Sequence, residues 1–349
     1  MKTVGIITYQ WYNNYGTVLQ AYALQTSLKK IGCNAHIIPI EMRCSCISRY
    51  FSKSVRGQMK KVNRIIIERG NKWRSCFDQF RSCYFDYGGM QKMSFEEVLQ
   101  HCFSEDVLVF GSDNIWSFWC YGLDEPMGQI FTGVGICHPR KVVYAASTGG
   151  DIQHHPDLEN GLALIREAGF RHVSVREPQN VGILANHGID AEFVPDPTLL
   201  LTESDWSAFE DRSLVPDEPY VLGYDLGHPG NYDFRTVCQE VAAKKAARIL
   251  MPYPQKWCRD RRFACYPSPR QWLALVHHAD VVVTNSYHGV LFSQIFGTRF
   301  KFLDIGGTPS SQTLNLRVRE ILNFIKDDRE TGVRKAREIG LDYLRRTIS

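Results

Sequence analysis

The sequence predicts an α/β protein of two domains, each built on a parallel sheet, and three observations carry that expectation. At 349 residues the chain is too long for one ordinary core and suits two domains of middling size. Its dominant pattern is a short β-branched run, a polar or glycine-containing break, then a helix-like stretch, which is how β-α units read in sequence. Apolar residues at 44% and charged ones at 22% match a chain that folds throughout, without the polar or repetitive tracts of disorder or a solenoid.

Taken in order, residues 4–8, 106–110, 142–146, 172–175 and 191–194 read as strands of a first domain over 1–205. A helix is expected over 16–31, where Leu24, Leu28 and Ile31 recur at helical spacing and Gly32 stops it. Strands at 220–223, 248–251, 279–284 and 300–303 then supply a second domain over 216–326. The acidic, proline-containing stretch 202–219 is the expected linker, and 327–349 a closing helix of mixed charge used for packing.

Residues 42–92 hold twelve Lys and Arg against three Asp and Glu, and the rest of the chain is net acidic. Within 54–84, Val55, Met59, Val62, Ile66, Trp73, Phe77 and Phe80 share a helical face, while Arg56, Lys60, Lys61, Arg64, Lys72 and Arg74 fill much of the remainder. That pattern suits a core-packed helix or helical hairpin with a solvated cationic face, or a surface for anionic lipid or a lipid diphosphate. It carries no nucleic-acid module, so no nucleic acid is expected as a partner. The opening apolar run is too short for a signal peptide, and no stretch approaches the ~20 apolar residues of a membrane span. A cytoplasmic protein is expected, with peripheral contact through 42–92 at the inner face of the plasma membrane. The eleven cysteines are scattered, without a C-x-x-C pair, so free thiols are expected in place of disulfides or zinc.

In open α/β sheets ligands bind beyond the carboxyl ends of strands, and there the sequence is rich. Asn13-Asn14-Tyr15-Gly16 opens a helix after the first strand, and Gly111-Ser112-Asp113-Asn114 and Ser147-Thr148-Gly149-Gly150 follow later ones. Arg176-Glu177 and Asp196-Pro197-Thr198 come next, then Thr284-Asn285-Ser286-Tyr287-His288-Gly289 in the second domain. Small polar residues at a helix start suit phosphate or carboxylate, although the same residues serve as ordinary N-caps. Arg176 sits where a fixed guanidinium can grip a carboxylate, or pair with Glu177 or another acid. His288 sits where an imidazole can act as acid, base or phosphate ligand, or simply cap. His277 and His278 read as structural or solvated, and His154-His155 has no ligand-spaced partners.

These same motifs, in order, resemble the polysaccharide pyruvyl transferase family over nearly the whole chain. The resemblance rests on Asn13-Asn14-Tyr15-Gly16 with Leu19-Gln20-Ala21-Tyr22-Ala23-Leu24-Gln25, on Gly111-Ser112-Asp113 with Trp116, on Arg176-Glu177 and Asp196-Pro197-Thr198-Leu199-Leu200, on Ser286-Tyr287-His288-Gly289, and on Arg317 within Leu316-Arg317-Val318. Asn114 stands where the family pattern has Gln, and Ser286-Tyr287-His288 where some members have an Arg-Leu-His type.

The resemblance implies two Rossmann-like domains in a glycosyltransferase-B-like arrangement, with the site in the interdomain cleft. It implies transfer of a pyruvyl group from phosphoenolpyruvate to two hydroxyls of a sugar, in a cell-surface polysaccharide or its lipid-linked precursor. Arg176 would hold the donor carboxylate, His288 with the helix start at Gly289 the phosphate, and Asp113 would be the base. Asn13, Asn14, Tyr15, Gly16, Ser112, Asn114, Ser147, Glu177, Ser286 and Arg317 would line the substrates. No metal or other cofactor is called for by that chemistry. Two rivals remain: a nucleotide-sugar glycosyltransferase, which wants a second-domain acid for the ribose and finds only Asp304, and a catalytically silent glycan-binding protein.

Overall fold

The fold comes from a computed structural model that describes residues 1–41, 72–149, 152, 153, 155–227, 232–252, 264–306, 309–325 and 328–348. Residues 42–71, with Lys60, Lys61, Arg64 and the first half of the expected basic helix, lie outside the described residues, as does His154. The chain forms two compact units: Met1–Asn71 with Arg81–Leu200 and Ala336–Ser349, and Lys72–Phe80 with Leu201–Lys335.

In the first unit β1 (Thr3–Ile7), β2 (Asn34–Ile37), β3 (Val107–Phe110) and β4 (Lys141–Val143) make an all-parallel sheet in the order β2-β1-β3-β4. All four residues of β3, Val107 to Phe110, are buried, as expected of a central strand covered on both faces. Single bridges from Val142 to His172 and from Ala146 to Val175 bring up β5 (Ser174–Val175), which pairs in parallel with β6 (Glu192–Phe193). The sheet order reverses between β1 and β3, the switch point where such sheets open a crevice.

Between β1 and β2 runs α1 (Tyr15–Lys30). The Asn14 side chain accepts from the Thr17 amide at its start, and Lys29 and Lys30 sit at its negative end. Val18, Leu19, Leu24 and Leu28 are fully buried, each side chain contributing roughly 1.5–3 kcal/mol of apolar burial. Gly32, at φ +90°, supplies the left-handed turn that ends the helix.

Among the described residues this unit also holds α2 (Lys72–Tyr84, whose residues up to Phe80 belong to the second unit), α3 (Phe95–Gln100), α4 (Pro126–Thr132), α5 (Leu158–Glu167) and α6 (Gln179–Asn186). In α2, Trp73, Phe77 and Phe80 are buried, so for this described part the apolar face is packed core.

In the second unit β7 (Tyr220–Tyr224), β8 (Arg248–Pro252), β9 (Ala264–Cys265), β10 (Val281–Thr284) and β11 (Phe300–Phe302) form a parallel sheet in the order β11-β10-β7-β8-β9. Its helices among the described residues are α7 (Glu203–Phe209), α8 (Phe234–Ala243), α9 (Pro269–His277), α10 (Tyr287–Phe296), α11 (Pro309–Ile325) and the start of α12 (Arg329–Ile348). The expected α/β class with two Rossmann-like domains is what the structure has.

Two expectations need correction. The stretch 202–219 is not a bare linker: a Thr202–Asp205 capping box starts α7, and Trp206 is fully buried against Phe209 and Phe292. The strand expected over 142–146 stops at Val143, because Ala145 turns to φ +47° and gives its amide to Ser174 Oγ. The closing helix forms as α12 and is used for packing: from Ala336 it belongs to the first unit, where Tyr343 is buried and donates to the Val143 carbonyl.

Among the described residues Cys33, Cys83, Cys102, Cys137 and Cys238 are free thiols, and no helix is long and apolar enough to cross a membrane.

Candidate active site

In the first unit the switch point gathers most of the residues marked from the sequence. Just after β3, Gly111 has φ +126°, and a Cβ there would drive into the Tyr144 carbonyl, so only glycine lets the chain pass. Ser112 follows a cis peptide bond and is fully buried. It gives its hydroxyl to the Ala145 carbonyl at 2.5 Å and its amide to Gln20 Oε1 at 3.2 Å. Gln20 is fixed in turn by donating to Thr8 Oγ1 at 2.9 Å. Ser112 therefore acts through the loop's shape.

Asp113 comes next at φ +66°, a left-handed conformation that Asp tolerates better than most residues but that still costs free energy. The strained turn presents its carboxylate to two groups. Thr17 Oγ1, in the first turn of α1, donates to Oδ2 at 2.8 Å, and Arg176 Nη2 lies 3.9 Å from Oδ1. Its side chain is 10% exposed.

Arg176, directly after β5, is 2% exposed. Its strongest partner is Asp196, with Nη1 at 2.7 Å from Oδ2, while Nε lies 3.7 Å from Glu177 Oε1 and Nη2 3.4 Å from Asn114 Oδ1. Asp196 is itself pinned by the Thr198 amide and hydroxyl. Glu177 accepts from Ser147 Oγ at 2.5 Å and from Asn180. One guanidinium thus sits among three carboxylates, an arrangement that holds only because every partner is bonded elsewhere. The ion pair weighed against the donor grip is present, and its main acid is Asp196, a motif residue in the sequence that the residue pattern did not pair with Arg176.

Asn13 and its neighbours divide their work. Asn14 caps α1, whereas Asn13 Oδ1 accepts from Arg81 Nη2 at 2.8 Å. Tyr15 is buried at 1% exposure and Gly16 lies in the helix's first turn. Tyr12, just upstream, is held neutral: burial first, then the charges of Cys120 and Asp113, push its phenol up to about 12. It can donate a hydrogen bond at neutral pH but not serve as a base.

In the second unit the candidates meet at the turn from β10 to α10. Thr284 Oγ1 donates to the Tyr224 carbonyl at 2.6 Å and accepts from the Ser286 amide. Ser286 then caps α10 by accepting from Gly289 N at 3.2 Å. His288, 8% exposed, stands edge-on to Tyr287, and the Arg317 guanidinium of α11 lies 5.7 Å over the Tyr287 ring. A helix N-terminus, an imidazole and a guanidinium thus share one corner, each favouring an anion.

The structure also supplies what short-range pattern could not. Thr17 is an ordinary helix residue until the fold sets it against Asp113. Asp225 is buried after β7 and accepts from Asn285 Nδ2 at 2.6 Å; Asp304, singled out instead, is exposed and paired with Arg319. Among the described residues Glu210, His277 and His278 form a group with metal-ligand composition. His155 accepts from the Asp157 amide at 2.9 Å, a turn-forming role.

A family model described as polysaccharide pyruvyl transferase matches residues 14–305. No curated protein matches the chain. Among solved structures, the UDP-GlcNAc 2-epimerase of Neisseria meningitidis bound to UDP-GlcNAc is similar at 10% identity and TM-score 0.54, over 100% of this chain and 99% of that one. A putative UDP-N-acetylglucosamine 2-epimerase from Listeria monocytogenes is similar at 10% identity and TM-score 0.53, over 99% and 95%. The spinosyn rhamnosyltransferase SpnG aligns over 99% of both chains at 11% identity and TM-score 0.41. At 10% identity the likeness to the two epimerases concerns the fold.

Proposed function

Because the chain belongs to the polysaccharide pyruvyl transferase family, we propose that it moves the pyruvyl group of phosphoenolpyruvate onto two hydroxyls of one sugar, making a ketal. The sugar would belong to a cell-surface polysaccharide or its lipid-linked precursor. The observation that carries the donor assignment is the anion-favouring corner of Ser286, His288, Gly289 and Arg317, which suits the phosphate of a doubly anionic donor.

The chemistry needs a proton on the donor's methylene carbon, which builds oxocarbenium character at the central carbon. One sugar hydroxyl attacks there, the C–O bond to phosphate breaks, and the second hydroxyl closes the ketal. Of the two hydroxyl protons, one is balanced by the new methyl group and the other leaves with phosphate. Asp113, fixed by Thr17 and partly open to solvent, is the base we assign to hydroxyl attack. His288 is the group we assign to the departing phosphate. Arg176 is buried and neutralised by Asp196, which supports a positioning role, holding Asp113 and Asn114 in register, over direct grip of the donor carboxylate. Ser147 and Glu177 extend the same support.

The test is phosphate release from phosphoenolpyruvate in the presence of a panel of glycosyl acceptors, with mass spectrometry for the pyruvyl increment. Release that depends on acceptor and yields that increment is expected. A nucleotide-sugar glycosyltransferase is the second reading, favoured by one observation: buried Asp225 beside Asn285 is the second-domain acid a ribose would want. No pyruvyl product from any acceptor, together with consumption of a nucleotide sugar, would replace the first reading by the second.

A further inference from the structure

We propose that Glu210, His277 and His278 form a binding site for a borderline first-row divalent metal ion of the Zn2+ type, independent of the transfer chemistry. All three belong to the second unit, and His277 and His278 precede β10, at its opposite end from His288.

Glu210 follows α7 and its amide closes that helix on the Trp206 carbonyl. Its side chain is only 1% exposed, yet its two oxygens point at two different imidazoles: Oε2 lies 2.9 Å from His277 Nδ1, and Oε1 lies 2.9 Å from His278 Nε2. His277 is the last residue of α9 and His278 its C-cap. Consecutive helical residues normally diverge by about 100°; here the cap conformation lets both rings converge, with centroids 4.3 Å apart. The His277 ring is also held flat on Phe296 at 4.3 Å and 11°, so one ligand is already oriented by packing, as good metal sites require.

One ligand atom from each residue lies within 4.8 Å of the others, and bonds of about 2.0–2.2 Å place neighbouring ligand atoms roughly 3–3.5 Å apart, so the two carboxylate–imidazole distances of 2.9 Å already fit a shell and small side-chain shifts close the rest. An imidazole pair with a carboxylate selects a borderline ion over Mg2+ or Ca2+, which prefer oxygen shells. The two histidines are 19% and 28% exposed and line a surface hollow of about 350 Å³ with Asp280 and Arg299, leaving room for water in the remaining positions.

Without metal, an ionised carboxylate can only accept, so each imidazole gives it an N–H. On binding, those nitrogens present lone pairs and their protons move to the other ring nitrogen. Arg212 is the competitor: its Nε lies 2.6 Å from Oε1, but its side chain is 63% exposed and can turn into water. The ion would clip the end of α7 to the end of α9.

The experiment uses the full chain after removal of metal by a chelator. Zn2+ is titrated against a chromophoric chelator, and Co2+ is added separately to read ligand type. One Zn2+ per chain is expected, with a Co2+ spectrum lacking thiolate charge transfer and no comparable binding of Mg2+. His277→Phe keeps the stacking on Phe296 and His278→Asn keeps a polar cap; each should weaken Zn2+ binding at least ~10-fold, read as a smaller Zn2+-induced rise above the variant's own metal-free melting temperature, which loss of a donor to the buried Glu210 carboxylate lowers. Arg212→Gln removes the competing cation and should tighten binding, which a purely structural cluster would not show. Zn2+ affinity unchanged in the His277→Phe, His278→Asn double variant, or a cobalt spectrum dominated by thiolate, would overturn the site. Phosphate release is no part of this readout, so its failure leaves the proposed transfer standing and the reverse also holds.

Discussion

At the scale of single residues, Asp113 separates backbone from chemistry. Its φ of +66° is tolerated by Asn nearly as well as by Asp, but penalises Ala by about 1–2 kcal/mol. Asp113→Asn is therefore expected to melt with the parent while losing ~10²–10⁴-fold in turnover, the range of a positioned base. Asp113→Ala should be equally slow and also less stable. An Asn variant with parental turnover would remove Asp113 from the chemistry. His288 and Arg176 should separate kinetically. His288→Ala is expected to lower turnover ~10²–10⁴-fold with an unchanged melt, and His288→Asn to recover only a hydrogen-bonding share. Arg176→Lys loses the fork that spans Asp196 and Asn114, so turnover should fall while the donor's KM moves little. A raised KM at parental turnover would return Arg176 to direct donor binding.

At the scale of elements, two tests follow from burial. Trp206 in α7 is fully enclosed between Phe209 and Phe292, so Trp206→Ala should cost ~3–5 kcal/mol in urea unfolding; a linker residue would be neutral. In the first unit, His36 at the centre of β2 bonds Glu105 Oε1 at 2.8 Å, just before β3. Burial alone would raise the Glu105 carboxyl, but the hydrogen bond and charge of His36 hold it below its ordinary 4.5. A depressed folded-state value means that the stabilisation is complete above the unfolded value and is lost as pH falls through the folded one. Stability should thus decline below about pH 4.5, and Glu105→Gln should lower the melting temperature at pH 7 while flattening that acid-side decline. An identical pH profile in the variant would show that the pair contributes nothing.

At the scale of the molecule, charge is placed unevenly: residues 42–92 carry twelve cations in a chain whose remainder is net acidic. For 72–84 the apolar face is already used, since Trp73, Phe77 and Phe80 are buried. Membrane contact is accordingly a proposal about 42–71, where Lys60, Lys61 and Arg64 lie. Vesicles containing anionic lipid should bind the chain, more weakly as salt rises. Binding unaffected by replacing those three residues with Gln would assign the segment to packing alone.

The sequence by itself determined what local chemistry determines: the β-α alternation, the parallel sheets that follow from it, and the loops after strands where polar residues collect. Those depend on side-chain period and on caps such as Asn14 and Ser286, which act within a few residues. Tertiary structure decided the rest, because it joins groups far apart in the chain. Thr17 met Asp113 across 96 residues, Arg176 found Asp196 across 20, and Glu210 met His277 across 67. The same holds for 202–219, where an acidic, proline-containing composition reads as linker until Trp206 is seen to be buried. Composition reports how polar a segment is, whereas burial depends on which distant residues pack against it.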